Sequence, residues 1–290
     1  MDFVILFRDA MQSVFGPLDW LPIPDGEVHR FHVPSDTPGT RNGWYVLFLD
    51  GIACGVFGSW KLGGTQTWRS RKPVDHVEAQ LVTQRFEQAR RKKEVEQYWR
   101  QQATAEYANR LWHQARPAVD YHHPYLTRKR VKACGLRRYC DTLLVPLVRD
   151  GELMNLQRIY TDGSKRFLRG GMVKGCCSLI GTIQQGQPLY ICEGWATGAT
   201  LHVATGAAVA CAMNAGNLLE VGQRLQRQHP DAVLIIAGDD DRMTEGNPGR
   251  TAAIKAAAAL GCRMVFPPWS GAEPLTLTDF NDLANWRADQ

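Results

Sequence analysis

The sequence contains no Cys-x-x-Cys pair, although it has eight cysteines. Cysteines at that spacing are the usual signature of structural zinc sites and of redox-active thiols. His113, His122 and His123 also have no partner cysteines at ligand spacing, so we expect no zinc. Cys192 and Cys211 lie within apolar runs. The thiols are therefore predicted to be buried and reduced, as is usual in a cytoplasmic protein.

Long apolar runs are missing as well. No stretch approaches the roughly 20 residues of a membrane span. Residues 1–15 are partly apolar, but Asp2, Arg8 and Asp9 interrupt them, which indicates a short helix rather than a signal peptide. No Gly-x-x-x-x-Gly-Lys-Ser/Thr loop occurs, which excludes a fused helicase motor from this sequence.

The charges are unevenly distributed along the chain. Residues 1–185 hold 27 Lys and Arg against 18 Asp and Glu, whereas residues 186–290 hold 7 against 11. This distribution is expected of a protein whose basic part binds a polyanion and whose acidic part holds metal ions that act on it. A soluble, mildly basic protein without a nucleic-acid partner is the alternative interpretation.

Local patterns predict an α+β protein of several parts, consistent with a length that fits two to three domains. Tight-turn signals such as Asp50-Gly51 and Asp150-Gly151 separate short apolar runs, and the stretch after residue 73 is rich in good helix formers. From residue 187 onwards strand-like and helix-like segments alternate, which is typical of a mainly parallel sheet. The predicted parts are an N-terminal β-rich unit (1–73), a helical connector (74–116), a basic antiparallel subdomain (117–185), an α/β domain (186–268) and a tail (269–290).

Two basic features of the first half have two interpretations each. The run Arg90-Arg91-Lys92-Lys93 is either a solvated helix face or a nucleic-acid contact. Several tryptophans lie near basic residues, and they either pack in the core or stack on bases. These residues are Trp20, Trp44, Trp60 and Trp68, with Arg30, Arg41, Lys61, Arg69 and Arg71 near them in the sequence.

Two apolar runs of the second half end in carboxylates. The run 189–192 is followed by Glu193-Gly194, and the run 233–237 is followed by Gly238-Asp239-Asp240-Asp241. The reactive groups of parallel sheets lie just beyond the carboxyl ends of the strands, so we expect these carboxylates to converge. They repel one another unless cations separate them, and their oxygens suit Mg²⁺ or Mn²⁺. An Asx-capped turn is the structural alternative, whereas the Gly and Glu positions fit no EF-hand loop.

The acidic pattern resembles the Toprim domain, which bacterial-type primases, topoisomerases, certain nucleases and recombination mediators share. An upstream block with Arg158, Arg166-Phe167-Leu168 and Lys174-Gly175 follows the order of the basic subdomain in bacterial-type primases. The segments 30–34, 42–45 and 123–126 are similar to the leading part of primases from phages and plasmids. The Cys/His zinc finger of cellular primases is absent from this sequence, so template recognition is expected elsewhere, in residues 17–116.

The resemblance implies a nucleotidyltransferase that makes short RNA primers on single-stranded DNA from nucleoside triphosphates, with a replicative helicase as a candidate partner. Glu193, Asp239 and Asp241 would be catalytic and hold one or two Mg²⁺ or Mn²⁺ ions, with Glu193 as general base in an alternative scheme. Asp240 and Asp279 are further candidate ligands. The candidates for binding the nucleotide or the template are Arg158, Lys165, Arg166, Arg169 and Lys174, of which Lys165 and Arg169 are equally well explained as solvated turn residues.

Other Toprim functions lead to different expectations. A Toprim nuclease would use the same carboxylates to hydrolyse phosphodiesters, but nucleases of this kind lack the basic companion subdomain. A topoisomerase needs a tyrosine in a large additional domain, and a recombination mediator usually carries a zinc finger. The sequence therefore favours a primase.

Overall fold

The computed structural model describes residues 2–61, 63–119 and 122–290. The chain forms two compact units, residues 1–99 and residues 100–290, and the division falls within one long helix. The predicted α+β class is confirmed, because antiparallel sheets precede a mainly parallel one. Within the described ranges, no helix is both long enough and apolar enough to cross a membrane.

The first unit is built on a four-stranded antiparallel sheet in the order β1-β2-β3-β4. Its central strands β2 and β3 are buried at every position, which explains their unbroken apolar and small-residue sequences. Phe7 and Met11 of the opening helix are fully buried in its core. The elements are α1 (Phe3–Phe15), β1 (His29–Phe31), β2 (Gly43–Phe48), β3 (Cys54–Ser59), β4 (Gly63–Arg69) and the first part of α2 (His76–Gln114).

The start of α2 packs on this sheet through few apolar residues, with Val82 and Ala89 buried. The basic run that follows is only partly a solvated face. The Lys92 ammonium donates to the carbonyl of Gly26 at 2.7 Å, and the Lys93 ammonium lies over the ring of Trp44 at 4.6 Å. Two of the four cations thus contact the sheet of their own unit.

The second unit begins with a five-stranded antiparallel sheet in the order β5-β6-β7-β8-β9. The end of α2 packs on one face, where Leu111 meets Leu144 and Leu156. The opposite face, with Leu143 and Ile159, belongs to the core shared with the α/β part. The elements are β5 (Arg116–Pro117), α3 (Pro124–Lys129), β6 (Arg137–Tyr139), β7 (Thr142–Arg149), β8 (Glu152–Ile159) and β9 (Lys165–Phe167).

The α/β part has a five-stranded sheet in the order β10-β12-β11-β13-β14, in which only β10 is antiparallel to its neighbour. The alternation of strands and helices predicted from residue 187 onwards is confirmed. The sequence did not reveal β10 or α7, which lie before and after the predicted alternation. The elements are β10 (Ser178–Ile180), β11 (Pro188–Cys192), α4 (Trp195–Thr205), β12 (Ala208–Cys211), a 3₁₀ turn (Ala215–Asn217), α5 (Leu218–Gln228), β13 (Val233–Ala237), α6 (Pro248–Leu260), β14 (Arg263–Val265) and α7 (Phe280–Ala288).

The cysteines are free thiols, and all eight lie in the part of the chain that the structure describes. Cys192 and Cys211 are opposite each other on β11 and β12, and their sulfur atoms are 3.9 Å apart in the core. The prediction that these two thiols are buried is confirmed, whereas Cys140 is exposed.

Candidate active site

The two acidic segments lie at one edge of the α/β sheet. β11 and β13 are neighbouring parallel strands, and Cys192 is opposite Ala237 in their register. Glu193 directly follows the first strand and Asp239 follows the second by one residue. The carboxylates therefore meet because the two strands run side by side and end at the same level.

Asp239 has the most perturbed carboxyl group of this edge. Burial and the charges of Asp279, Glu193 and Asp241 raise its pKa to about 8. Its Oδ1 atom is buried and has no hydrogen-bond partner among the described residues. A buried carboxylate oxygen without a partner is costly, and neighbouring negative charges add to the cost. This carboxyl group is thus poised to accept a cation.

Glu193 has a similar but milder environment. Burial and the charge of Asp241 raise its pKa, whereas a backbone hydrogen bond from Ala215 and the charge of Lys165 act in the opposite direction. Met213, whose φ angle of 71° is unusual for a residue with a side chain, donates its backbone N–H to the Glu193 carbonyl at 2.8 Å. The turn after β12 therefore fixes the backbone that carries this carboxylate.

Asp241 is held by the start of α6. Its Oδ2 atom accepts from the backbone N–H of Gly249 at 2.9 Å, and its own N–H donates to Oδ1 of Asn247 at 2.8 Å. A side chain at position 249 has no room, because a Cβ atom there would lie 2.8 Å from Oδ2 of Asp241 and 3.1 Å from Cβ of Asp239. The close approach of this helix therefore requires glycine.

Asp240 differs from the other carboxylates of the cluster. Its oxygens accept hydrogen bonds from Nδ2 of Asn247 at 2.7 Å and Nε1 of Trp269 at 3.0 Å, and Arg250 forms an ion pair at 3.3 Å. Burial alone would raise its pKa, but these hydrogen bonds together lower it. The structure thus gives Asp240 a role in holding the loop, and we leave it out of the proposed metal ligands.

Asp279 joins the cluster from the C-terminal segment. It caps α7, because its side chain accepts from the N–H of Asp282 at 2.8 Å, and its charge is the leading electrostatic contribution to the raised pKa of Asp239. Asn281 attaches the helix by donating to Oγ1 of Thr200 at 2.9 Å and to the carbonyl of Lys129 at 2.7 Å. Residues 269–290 therefore bring Asp279 to the carboxylates of the α/β part.

The carboxylates do not form a closed cation site. Within the ranges that the structure describes, no group of three His, Cys, Asp or Glu side chains is arranged to hold a metal ion. The oxygen donors and the unpartnered oxygen of Asp239 nevertheless fit a hard divalent cation. Binding then requires Glu193, Asp239 and Asp241 to draw together around it.

Lys165 is the cation directed to this cluster. Loss of hydration and the nearby Lys129 lower its pKa, whereas the charges of Asp279, Asp239 and Glu193 act against the shift. Its ammonium also lies 5.2 Å from the ring centre of Tyr125 in α3. The sequence places Tyr125 in the motif His123-Pro124-Tyr125-Leu126 but did not indicate its contact with a basic residue.

The strand register separates Lys165 from the two arginines. Lys165 is opposite Ile159 and Arg166 is opposite Arg158 across β8 and β9, which are joined by a tight turn at Gly163. Neighbouring residues of a strand point to opposite faces, and directly paired residues point to the same face. Lys165 thus lies on the face shared with the α/β part, whereas Arg158 and Arg166 lie on the face that α2 covers.

The remaining basic candidates lie in the loop that follows β9. Arg169 is exposed, and its carbonyl accepts from Oγ1 of Thr104 at 3.2 Å. The Lys174 ammonium is 2.7 Å from a carboxylate oxygen of Glu220. The structure therefore does not bring all five basic candidates to the carboxylates; of the five, Lys165 is the one whose charge acts to lower the pKa of Glu193.

Asn217 fastens the Lys174–Gly175 loop to the α/β part. Its amide nitrogen donates to the carbonyls of Val173, Cys176 and Ala212, and its Oδ1 accepts from the N–H of Gly175 at 2.7 Å. Arg224 adds a hydrogen bond from Nε to the Gly175 carbonyl at 2.9 Å. Sequence reasoning did not identify Asn217, because it belongs to no motif and nothing in the sequence distinguishes it from the nearby Asn214.

Replacing Asn217 by alanine is expected to lower the free energy of unfolding by about 2–3 kcal/mol, because it leaves buried backbone groups without partners. Urea denaturation followed by circular dichroism measures this change. Asn214→Ala, for which the structure shows no side-chain cap bond, is the matched control and should cost less than about 1 kcal/mol. Equal losses in the two variants would contradict the role given to Asn217.

Comparison with known proteins agrees with this organisation. Residues 188–288 match the model of the Toprim domain family. The chain is 36% identical over 265 residues to a DNA primase TraC of Escherichia coli, a match that covers 87% of this chain and 18% of that protein. A second Escherichia coli DNA primase TraC is 32% identical over 287 residues, covering 92% of this chain and 26% of that protein.

The chain therefore spans about a fifth to a quarter of the length of these curated relatives. Among solved structures, the DnaG catalytic core is similar with a TM-score of 0.40 and 14% identity, covering 66% of this chain and 76% of that one. Residues 188–288 thus match the Toprim domain family, within a chain that is similar over most of its length to part of the DNA primase TraC.

Proposed function

We propose that this chain is the catalytic part of a DNA primase, which joins nucleoside triphosphates into short RNA primers on a single-stranded DNA template. The observation that carries the proposal is the buried, unpartnered oxygen of Asp239 at the edge where Glu193, Asp241 and Asp279 raise its pKa. The adjoining basic sheet and the similarity to TraC support polymer synthesis over other Toprim reactions.

Glu193, Asp239 and Asp241 are the proposed ligands of Mg²⁺ or Mn²⁺, with Asp279 as an additional one. When bound, such ions activate the attacking 3′-hydroxyl and neutralise the leaving pyrophosphate. The Gly249 N–H fixes one oxygen of Asp241, which leaves its second oxygen for the cation. The chain thus supplies a cluster of carboxylates in which the start of α6 holds Asp241 and Asp279 caps α7, and a cation would draw the proposed ligands together.

Lys165 is proposed to bind the triphosphate of the incoming nucleotide. Its ammonium lies between the aromatic face of Tyr125 and the carboxylate cluster, where it partly offsets the negative charge. A triphosphate is repelled by carboxylates, so a fixed cation beside them lowers the cost of its approach. Lys174 lies on the separate loop that Asn217 holds, and we propose that it contacts the template strand.

The proposal is tested by incubating the protein with single-stranded DNA, labelled ribonucleoside triphosphates and Mg²⁺ or Mn²⁺, and resolving the products on a gel. Short RNA products that need both nucleotides and metal, and that are lost in Glu193→Gln, are the expected result. Loss of the DNA without synthesis would overturn the primase in favour of a nuclease. Absence of both activities on templates of varied sequence would overturn the proposed catalysis.

Lys165→Met is expected to reduce kcat/KM for primer synthesis by about 100-fold, because it removes the cation beside the carboxylates and keeps the length of the side chain. Arg166→Met is the matched control, since the register places Arg166 on the opposite face of the same strand. It should change kcat/KM by less than about threefold. A larger loss in the Arg166 variant would show that the register argument does not describe the working site.

A further inference from the structure

The first unit carries an open cleft that the proposed chemistry does not use. Its volume is about 570 Å³, and we call it the Trp20 cleft. It is lined by aromatic rings and basic side chains, chiefly those of Trp20, His29, Arg30, His32, Arg41 and Tyr45. We infer that the Trp20 cleft binds a segment of single-stranded DNA, with a base against Trp20 and a phosphate at Arg41.

The structure distinguishes the tryptophans that the sequence could not separate. Trp44 is fully buried, Trp60 is half-buried beneath the Lys93 ammonium at 4.9 Å, and Trp68 packs edge-on against Phe7 at 5.4 Å. These three serve the packing of their unit. Trp20 is half-buried as well, but its accessible part forms a wall of the cleft.

The ring of Trp20 belongs to a stack. Trp20 lies parallel to Tyr45 with 5.6 Å between ring centres, and His29 lies parallel to the same tyrosine at 5.2 Å. The Tyr45 hydroxyl accepts from the N–H of Ile23 at 2.9 Å, which fixes the ring. Rigid aromatic rings at an open surface favour base stacking, because little side-chain freedom is lost on binding.

A basic side chain with unused donors lies beside this stack. The Arg41 side chain is exposed and has no ion pair or hydrogen bond among the described residues. Arg30 also lines the cleft, but it is largely buried, forms an ion pair with Glu96 at 3.8 Å and donates to the carbonyl of Arg41. Of the lining residues only Asp19 carries a carboxylate. The cleft therefore combines stacking rings with the unpaired guanidinium of Arg41, and single-strand binding sites combine aromatic and basic groups in the same way.

This inference rests on the proposed function for its choice of ligand, because a primase needs a template, but its test needs no catalysis. The full chain is titrated against a fluorescently labelled mixed-sequence single-stranded oligodeoxynucleotide in EDTA, and Kd is measured by anisotropy. Arg41→Glu should raise Kd at least about fivefold. Arg69→Glu makes the same charge change at an exposed position of β4 outside the cleft lining and should raise it less than about twofold.

The aromatic contribution is measured with Trp20→Leu and Trp20→Phe, after circular dichroism has shown that each is folded. Trp20→Leu should weaken binding at least about fivefold for the normal oligonucleotide and hardly at all for an abasic one, whereas Trp20→Phe retains most of the affinity. If Trp20→Leu fails to fold, the Kd values of Trp20→Phe and Arg41→Glu, together with the affinity of the wild type for the abasic oligonucleotide, still test whether the cleft binds the strand.

Equal effects of Arg41→Glu and Arg69→Glu would overturn the inference, and so would undiminished binding of the abasic strand. If millimolar free nucleoside triphosphate displaces the oligonucleotide, the ligand of the cleft is a nucleotide and the inference of a DNA strand is overturned. Strand binding in EDTA and primer synthesis are separate measurements on the wild type. Normal strand binding without primer synthesis would overturn the proposed catalysis and leave the cleft standing, whereas primer synthesis with equal Kd values for Arg41→Glu and the wild type would overturn the cleft alone.

Discussion

Asp239→Asn is expected to reduce primer synthesis at least about 1,000-fold and, at the same time, to stabilise the metal-free protein. The activity falls because the variant loses a proposed metal ligand. The stability rises because a carboxyl group that burial and three neighbouring carboxylates disfavour is replaced by a neutral amide. Thermal unfolding in EDTA at pH 8.5 should show a gain of about 1–3 kcal/mol.

The pH dependence has a defined sign. The pKa of Asp239 is about 8 in the folded chain, against an ordinary value of 3.8. The folded state therefore binds the extra proton between these values, and the stability of the wild type falls as the pH rises from about 4 to about 8. Asp239→Asn lacks this contribution, so its stability should fall less over the same range. Added Mg²⁺ should restore the wild type at high pH and have little effect on the variant.

Asp240→Asn is the matched control because it makes the same change one residue away. It weakens the ion pair with Arg250 and should destabilise the protein, and Mg²⁺ should still stabilise it. If both variants are more stable than the wild type, removing any negative charge at this edge stabilises the protein, and the effect is not specific to Asp239. Destabilisation of both would contradict the unfavourable environment assigned to Asp239.

Gly249→Ala is expected to reduce primer synthesis at least about 100-fold, because the added Cβ would lie 2.8 Å from Oδ2 of Asp241, closer than real contacts come, and 3.1 Å from Cβ of Asp239, closer than most real contacts. The neighbours include the Asp239 backbone carbonyl at 3.2 Å, so flexible side chains cannot absorb the whole displacement. The free energy of unfolding should fall by about 1–3 kcal/mol. Parallel measurement of activity and urea denaturation checks both effects.

Gly216→Ala provides the control for this variant. Gly216 lies in the 3₁₀ turn near the same edge, and the nearest atom to an added Cβ is Oδ1 of Asn214 at 3.4 Å, an ordinary contact. Activity and stability should therefore change little. Full activity of Gly249→Ala would show that α6 can retreat without disturbing the carboxylates, against the close approach described above.

The sequence predicted the main strands because they are unusual in one respect. β11 and β13 are unbroken apolar runs, buried on both faces, and each ends directly before the acidic residues. Residues that directly follow neighbouring parallel strands lie at the same edge of the sheet, so the sequence predicts that Glu193 and Asp239 converge. The helices between them are predicted from the alternation of strand-like and helix-like segments.

The division of roles within the cluster could not be predicted. The resemblance singles out Asp239 and Asp241 and leaves Asp240 as a further candidate ligand, and only the positions of Asn247, Trp269 and Arg250 show that Asp240 supports the loop. Trp269 lies 29 residues further along the chain, a distance at which no local pattern operates. The roles of these aspartates in catalysis remain predictions that the variants above test.

The basic candidates show a second limit. β9 has only three residues, and a segment of this length does not reveal which of its faces is turned towards the core. The resemblance favours Arg166 over Lys165 as a binding residue, whereas the register of β8 and β9 places Lys165 on the face shared with the α/β part. In the same way α7 was not foreseen, because the residues that attach it lie on α3 and α4.

The turn between β8 and β9 has a consequence for related sequences. Because side chains alternate along a strand, the number of residues from Tyr160 to Ser164 sets which cation faces the carboxylates. One residue inserted in the turn would place Ser164 on that face, and one residue deleted would place Arg166 there. A change of two residues would keep Lys165 on the same face. In homologues with a different turn length, the residue equivalent to Lys165 is therefore identified by whether the number of turn residues is odd or even. This is a better guide than alignment of the basic residues.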